Sequence, residues 1–377
     1  MIVLKGPQDQ LLAALQSVAG IVEKRHTLPI LANVLLRRGG DLGEEVEFIT
    51  SDLEIQVRTR ARFDGAAEAF STTVQAKKLI DILRSLPSDQ ICSLSAASGK
   101  LTLQAGKSRF TLQTLPSEDF PLVQESADFG PSFSVPQATL RALINQVHFA
   151  MAVHDIRFYL NGILFVAEGK TLTLVATDGH RLALAQATLE VEMPKQEVIL
   201  PRKTVLELQR LLKDKDKNDE NPAAIEMRFS GNQARFAFSG MEFVTKLVEG
   251  KFPDFNRVIP KNHKHHLVLG RAPLLASLQR AAILTSEKFK AVRLSFHEHV
   301  LTIAASNAEQ EEAKEEIEID YDGDKIETGF NVTYLTEVLA NMPQEMVGID
   351  LNDSASSALF TIPERSDFKY VVMPMRI

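Results

Sequence analysis

The chain writes one pattern three times. LPILANVLLRRGGDLGEEVEFITSDLEIQVRTRA from Leu28, RFYLNGILFVAEGKTLTLVATDGHRLALAQATLE from Arg157 and KFKAVRLSFHEHVLTIAASNAEQEEAKEEIEID from Lys288 align in one register. Each reads as strand, turn, strand, a Ser/Thr-Asp/Asn corner, then a further strand. The corners Asp52, Asp178 and Asn307 recur at intervals of 126 and 129 residues, so three such units fill the 377 residues. The flanks repeat too. PQDQLLAALQSV, PQATLRALINQV and RAPLLASLQRAAIL precede the strand blocks, and TTVQAKKLIDILRSLP, VILPRKTVLELQRLLK and GFNVTYLTEVLANMP follow them.

These flanks have helical spacing. Leu140, Leu143, Ile144 and Val147 fall at i, i+3, i+4 and i+7, and Leu79, Ile82, Leu83 and Leu86 form a second stripe. The expected helices are Pro7–Val18, Gln75–Leu86, Gln137–Phe149, Pro201–Lys213, Ala272–Leu284 and Val332–Met342. Each unit is then strand, helix and three strands, written twice. The fold class that follows is α+β, with two helices packed on two antiparallel sheets in each of three repeated domains. Their bounds are expected at 1–124, 132–253 and 255–377, with linkers at Glu125–Pro131 and Asn256–His265. The mixed-charge run KDKDKNDENP (Lys213–Pro222) reads as a solvated loop.

Hydrophobic residues make up 45% of the chain, enough for a substantial core. No apolar run approaches the ~18 residues of a membrane span, and the start MIVLKGPQDQ turns polar at once, so no secretory signal is expected. The single cysteine, Cys92 in ICSLSA, reads as a small buried hydrophobe in a reducing, cytoplasmic protein. A net charge of −7 argues against nucleic-acid binding if it is spread evenly. It is not. The six expected helices carry nine basic residues (Lys77, Lys78, Arg84, Arg141, Arg202, Lys203, Arg210, Lys213 and Arg280) against Asp9, Asp81, Glu207 and Glu337. If the helices share a face, an acidic protein presents a basic surface suited to phosphates.

The densest polar motif is Thr177-Asp178-Gly179-His180-Arg181. Its counterparts, Ser51-Asp52-Leu53-Glu54 and Ser306-Asn307-Ala308-Glu309, keep the corner but not the glycine, histidine or arginine. A turn-capping role accounts for Asp178, and glycine supplies permissive φ. A hydrolase built on Asp178 and His180 would need a nucleophile or a second acid–base group, and none stands nearby in sequence. GxSxG, HExxH, GxxxxGK[ST] and GxGxxG are all absent. Asp52 and Glu54 read as a solvated strand face. Asn262-His263-Lys264-His265-His266 reads as exposed linker rather than a metal site, so no metal or cofactor is expected.

The chain resembles the bacterial sliding clamps, the beta subunits of DNA polymerase III. The matching stretches run end to end and in order: TLPIL, TLPSEDFP, RFYLNGILF, ATDGHRLA, LPRK, KLVEGKFPDFNRVIPK, RAAILTSEKFKAVRL, NAEQEEA, GFNVTYL and YVVMPMRI. The resemblance implies a DNA polymerase processivity factor without catalytic residues. It would be a six-domain ring formed head to tail by two copies, encircling duplex DNA. It places DNA contacts at Arg25, Lys77, His154, Phe158 and Tyr159, and the helix charge adds Arg84, Arg202 and Lys203. His154 and Phe158 stand where an amide and a tyrosine are common in the family.

The resemblance also implies a pocket for short partner peptides. It comprises Arg157, Tyr159, Leu160, Thr177, Gly179, His180, Arg181, Leu182, Pro253, Arg257, Val258, Asn331, Tyr334, Ser357, Val371, Met373, Pro374, Met375 and Arg376. Ala355 and Ile377 replace the usual valine and leucine. The partners implied are the replicative polymerase alpha subunit, the clamp loader, repair and translesion polymerases, ligase and mismatch-repair proteins. The dimer contact is expected to join Phe110 and Leu112 to Ile283 and Leu284. Lys78, Lys107 and Arg109 would face Glu309, Glu311, Glu312 and Glu315. A clamp-fold paralogue that protects against clamp inhibitors stays open beside this reading, as does the Asp178/His180 hydrolase.

Overall fold

The computed structural model describes residues 2–23, 27–39, 44–65, 68–214, 223–286 and 288–376. Arg25, Ile377 and most of the Lys213–Pro222 run lie outside them. Six α-helices are present among the described residues: α1 (Gln8–Val18), α2 (Ala76–Arg84), α3 (Gln137–Val147), α4 (Arg202–Leu211), α5 (Arg271–Ala282) and α6 (Val332–Asn341). Among the described residues all strand pairing is antiparallel, in four sheets. The chain divides into two compact units, residues 1–138 with 210–247, and residues 139–209 with 248–377.

In the first unit, α1 buries Gln8, Leu11, Ala14, Leu15 and Val18. The Gln8 side-chain amide donates to the Leu83 carbonyl at 2.5 Å, tying α1 to α2. The α2 stripe differs from the expected one. Ala76, Leu79, Ile80 and Leu83 are buried, while Ile82 is half-buried and Leu86 falls beyond the helix. The helix is short, and its neighbours select a face rotated by about 60° from the sequence stripe, keeping Leu79 and Leu83 and adding Ala76 and Ile80. Lys213 lies outside α4 and Arg271 inside α5, which leaves the helical charge balance unchanged.

The middle repeat holds two long strands where four were expected. Gly162–Thr177 pairs with Arg181–Pro201, and its register shifts on either side of Gly169, at φ +57°. Each long strand corresponds to two shorter ones in the other repeats. Asp52 and Glu54 are not on a strand. They belong to the turn between Glu45–Ser51 and Ile55–Arg62, where Asp52 Oδ1 accepts from the Glu54 and Ile55 amides at 3.0 and 2.7 Å. The His263–His266 stretch is not a loose linker either. His263 is largely buried, 3.7 Å from Asp350, whose other oxygen bonds His266 Nδ1. Cys92 is buried, and burial pushes its thiol pKa up.

Two strand seams join the repeats. In the first unit an eight-stranded sheet runs Phe70–Gln75, Asn33–Arg38, Glu45–Ser51, Ile55–Arg62, Met241–Lys246, Gln233–Phe238, Ala224–Phe229, Phe133–Pro136. Its seam is Ile55–Arg62 against Met241–Lys246, with Val57 opposite Phe243. In the second unit a six-stranded sheet puts Arg181–Pro201 against Phe368–Val372, with Arg181 opposite Val372. Both seams pair the strand that follows a corner in one repeat with the final strand of the next.

Charges pin the first seam. Arg58 Nε reaches Glu242 at 2.8 Å, Arg235 Nη2 reaches it at 2.9 Å, and Arg58 Nη2 reaches Glu125 at 3.0 Å. Burial alone would raise the Glu242 pKa, but Arg58 and Arg235 together outweigh it and hold the carboxyl below its ordinary value. Nearby, the Glu47 carboxylate has no exposed side-chain surface and is shared by Arg37 at 2.5 Å and Arg60 at 3.2 Å. Replacing Glu47 by alanine leaves two cations facing a void in the sheet. We expect Glu47→Ala to lower the free energy of unfolding by about 3 kcal/mol in urea titration, and Glu47→Gln to cost less.

Candidate functional site

The corner at Thr177–Arg181 is a capped turn. Asp178 Oδ1 accepts from the His180 and Arg181 amides at 2.9 and 3.1 Å, as Asp52 does in the first repeat. In the third repeat, Asn307 Oδ1 accepts from the Glu311 amide at 2.9 Å. The Thr177 hydroxyl donates to the Arg181 carbonyl at 2.6 Å and accepts from the Gly179 amide at 3.1 Å. Gly179 sits at φ +91°, and a Cβ there would lie 3.1 Å from the Arg157 guanidinium. Glycine meets both constraints at once.

Beside this turn lies a largely apolar cavity of about 120 Å³. Of the expected pocket residues, Arg157, Tyr159, Leu160, Thr177, Gly179, His180, Arg181, Leu182, Pro253, Val258, Val371 and Met373 line it. Phe252 and Phe255 line it too and were not anticipated. They sit three apart in KFPDFNR, on a stretch that ends in the short 3-10 turn Phe255–Arg257, where no long periodicity marks them. Behind the lining, Leu160, Leu182, Phe252 and Val371 join one core with Leu164, Val175, Leu184 and Ile199.

Pro374, Met375 and Arg376 line a separate crevice of about 390 Å³ with Ala355, Arg293 and Glu327. Backbone bonds hold this terminal strand in place: the Met373 amide donates to the His180 carbonyl at 3.0 Å, and the Met375 amide to the Gly329 carbonyl at 2.7 Å. Asn331 caps α6 through the Thr333 amide. Arg257 is exposed and pairs with Asp254, and Ser357 is half-buried; neither lines the cavity.

Arg181 is 8% exposed, and its guanidinium is committed on several sides. Nε reaches Asp178 Oδ2 at 3.1 Å, Nη1 pairs with Glu337 on α6, and Nη2 donates to the Phe149 carbonyl at 2.6 Å. The Tyr334 ring lies 4.4 Å from its carbon. Burial would lower the Arg181 pKa, but the surrounding acidic groups outweigh it and raise it. By contrast Arg157 is held at the rim by Asp155, at 3.0 and 2.8 Å, and these bonds depress the Asp155 pKa to about 2.

The expected DNA-contact residues fall on several elements. Lys77 and Arg84 are exposed on α2, as is Lys78. Arg202 and Lys203 open α4 half-buried, and burial, joined by the charge of Arg181, lowers the Arg202 pKa. His154 (φ +55°) and Phe158 are exposed on the loop before the pocket, whereas Tyr159 packs against the pocket core. Of the helical cations, Arg280 pairs with Glu315, and Arg271 donates to the Leu339 and Gln344 carbonyls. Among the described residues no cluster of three or more His, Cys, Asp or Glu groups is placed to hold a metal ion.

Several of the residues expected at the dimer contact lie on or beside two strands that end their sheets, Ser108–Gln113 and Glu312–Glu318. Arg109 is exposed on the first and Lys107 just before it, with Phe110 and Leu112 half-buried. Ile283, just past α5, is 76% exposed, and Leu284 is half-buried. Glu309, Glu311 and Glu312 are exposed, whereas Glu315 is already engaged by Arg280.

His148 stacks edge-on against Phe149, whose carbonyl Arg181 binds, and its Nδ1 lies 3.1 Å from the Ile144 carbonyl. Burial lowers its pKa, with a smaller contribution from Arg202. The unfolded chain then takes up a proton that the folded chain resists, so stability falls as pH drops below the ordinary imidazole value of about 6.5. Thermal melts at pH 7.5 and 5.5 should show a larger loss for the wild type than for His148→Gln.

Models of the DNA polymerase III beta subunit match three consecutive parts of the chain: the N-terminal domain over residues 5–124, the central domain over 134–254 and the C-terminal domain over 256–376. The beta sliding clamp of Pseudomonas aeruginosa is 44% identical over 376 residues, covering 98% of each chain. That of Escherichia coli K12 is 40% identical over 370 residues, also 98% of each. The crystal structure of the DNA polymerase III subunit beta from Pseudomonas aeruginosa superposes with a TM-score of 0.91 at 42% identity, covering 100% of both chains.

Proposed function

Because the chain belongs to the DNA polymerase III beta-subunit family, the bacterial sliding clamps, and serves as a DNA polymerase processivity clamp, we propose that two copies close head to tail into a ring around duplex DNA. Short peptides of partner proteins then seat in the cavity beside Thr177–Leu182. The domains of this reading are 1–124, 132–253 and 255–377.

The observation that carries the ring is the repeated seam. The post-corner strand of the first repeat pairs with the last strand of the second, and that of the second with the last strand of the third. By the same rule Glu312–Glu318 of the third repeat seeks Ser108–Gln113 of the first, supplied by another copy. The chemistry supports this match. One strand is rich in glutamates, the other carries Arg109 with Lys107 beside it, and Phe110, Leu112, Ile283 and Leu284 supply apolar surface. Exposed ion pairs contribute little each, so the apolar contacts dominate the joint.

Lys77, Arg84, Arg202 and Lys203, with Arg25, His154, Phe158 and Tyr159, would meet phosphates and sugars. Such contacts position a duplex without reading its sequence, as sliding requires. The pocket accepts a peptide with a glutamine and large apolar residues, and Met373 adapts to varied side chains. The clients are the replicative polymerase, the clamp loader, repair and translesion polymerases, ligase and mismatch-repair proteins, all in the cytoplasm. The chain itself catalyses no reaction in this reading, and a separate ATP-driven loader opens the ring.

Loading onto a nicked circular plasmid with a bacterial clamp loader and ATP, followed by a single cut, tests enclosure. Retention on the circle and loss from the linear form is the expected result. Equal retention on both would mean ordinary electrostatic binding. Separately, Ile283→Asp should convert the dimer to monomer in analytical ultracentrifugation, and an unchanged dimer would place the joint elsewhere.

A further inference from the structure

Arg181 lines the cavity, yet each of its three guanidinium nitrogens is bonded within the protein. Three of its nitrogens are taken by Asp178, Glu337 and the Phe149 carbonyl, and the Tyr334 ring covers the guanidinium at 4.4 Å. Its own carbonyl receives the Thr177 hydroxyl, and Thr177 in turn holds the Gly179 amide. A movement of Arg181 therefore moves the rim from Thr177 to Leu182. Asp178 belongs to the same turn and moves with it. Tyr334 and Glu337 do not: they stand one helical turn apart on α6 and brace the guanidinium from a separate element.

We propose that Glu337 is a positioning residue of the peptide pocket, which it shapes by anchoring Arg181 to α6 and so making that arginine a fixed wall rather than a charge that reads the ligand. The proposal rests on the pocket being the peptide site. A buried guanidinium that loses one of its two carboxylates has reason to seek water or the cavity, and the rim is bonded to it. The Glu337 side chain is 39% exposed, so its pairing is screened and its effect on global stability is modest. The consequence falls on the pocket.

The test compares wild type, Glu337→Gln and Glu337→Asp in two assays. One is the affinity for a labelled synthetic peptide carrying a glutamine followed by leucine and phenylalanine. The other, with no peptide present, is the NMR signal of the Arg181 guanidinium Nε–H and its exchange with water. We expect Glu337→Gln to weaken the peptide about tenfold, equivalent to about 1.4 kcal/mol. Arg181 exchange should quicken while the melting temperature stays within a few degrees. Glu337→Asp, which keeps the charge, should recover most of both losses. Unchanged Arg181 exchange in Glu337→Gln overturns the proposal, and so does peptide affinity within twofold of wild type. If the wild type binds no peptide, the pocket reading falls, and Arg181 exchange still decides whether Glu337 anchors the wall.

Discussion

Main-chain hydrogen bonds between strands of different repeats are the constraint on which the rest of the molecule depends. A strand at a sheet edge exposes a row of unpaired donors and acceptors. In this chain the same two positions in the repeat, the strand after the corner and the final strand, satisfy each other twice. The side chains then follow. Val57 meets Phe243 and Arg58 meets Glu242 because the ladder sets them opposite. The cavity beside the Thr177–Arg181 turn depends on the second seam, since Val371 and Met373 reach Leu182 and His180 only while that ladder holds.

Charge is used in two ways. Arg181 and Glu47 are themselves buried and committed to charged partners, so each is costly to remove and contributes to a defined local geometry. On α2 and along the Glu312–Glu318 strand charge is exposed and of one predominant sign per surface. Such surfaces steer and discriminate more than they bind. A strand rich in glutamates also resists pairing with its own copy, which favours a head-to-tail partner over a symmetrical one.

Much of this was legible before any coordinates, and for local reasons. The corners could be read because an Asp or Asn that caps a turn acts on amides two to four residues away. The helices could be read from periodicity to within a few residues. What escaped depends on distant partners. The buried face of α2 was set by what packs on it, so Ile80 took the place expected of Ile82 and Leu86. His263 found Asp350 on a strand far along the chain. The commitment of Arg181 was invisible because its second carboxylate lies 156 residues away. Phe252 and Phe255 escaped because a short irregular segment offers no period to count.

The repeated seam also carries a hazard. A joint whose two halves differ has no built-in stopping point, because each added copy presents the same unsatisfied edge as the one before. In the proposed ring, growth stops only because the second copy's free edge meets the first copy's. A substitution that altered the twist at either internal seam, without weakening it, would leave every edge still sticky and the circuit open. Such a chain would grow into helical fibres, and a protein shaped for enclosure would become one that polymerises.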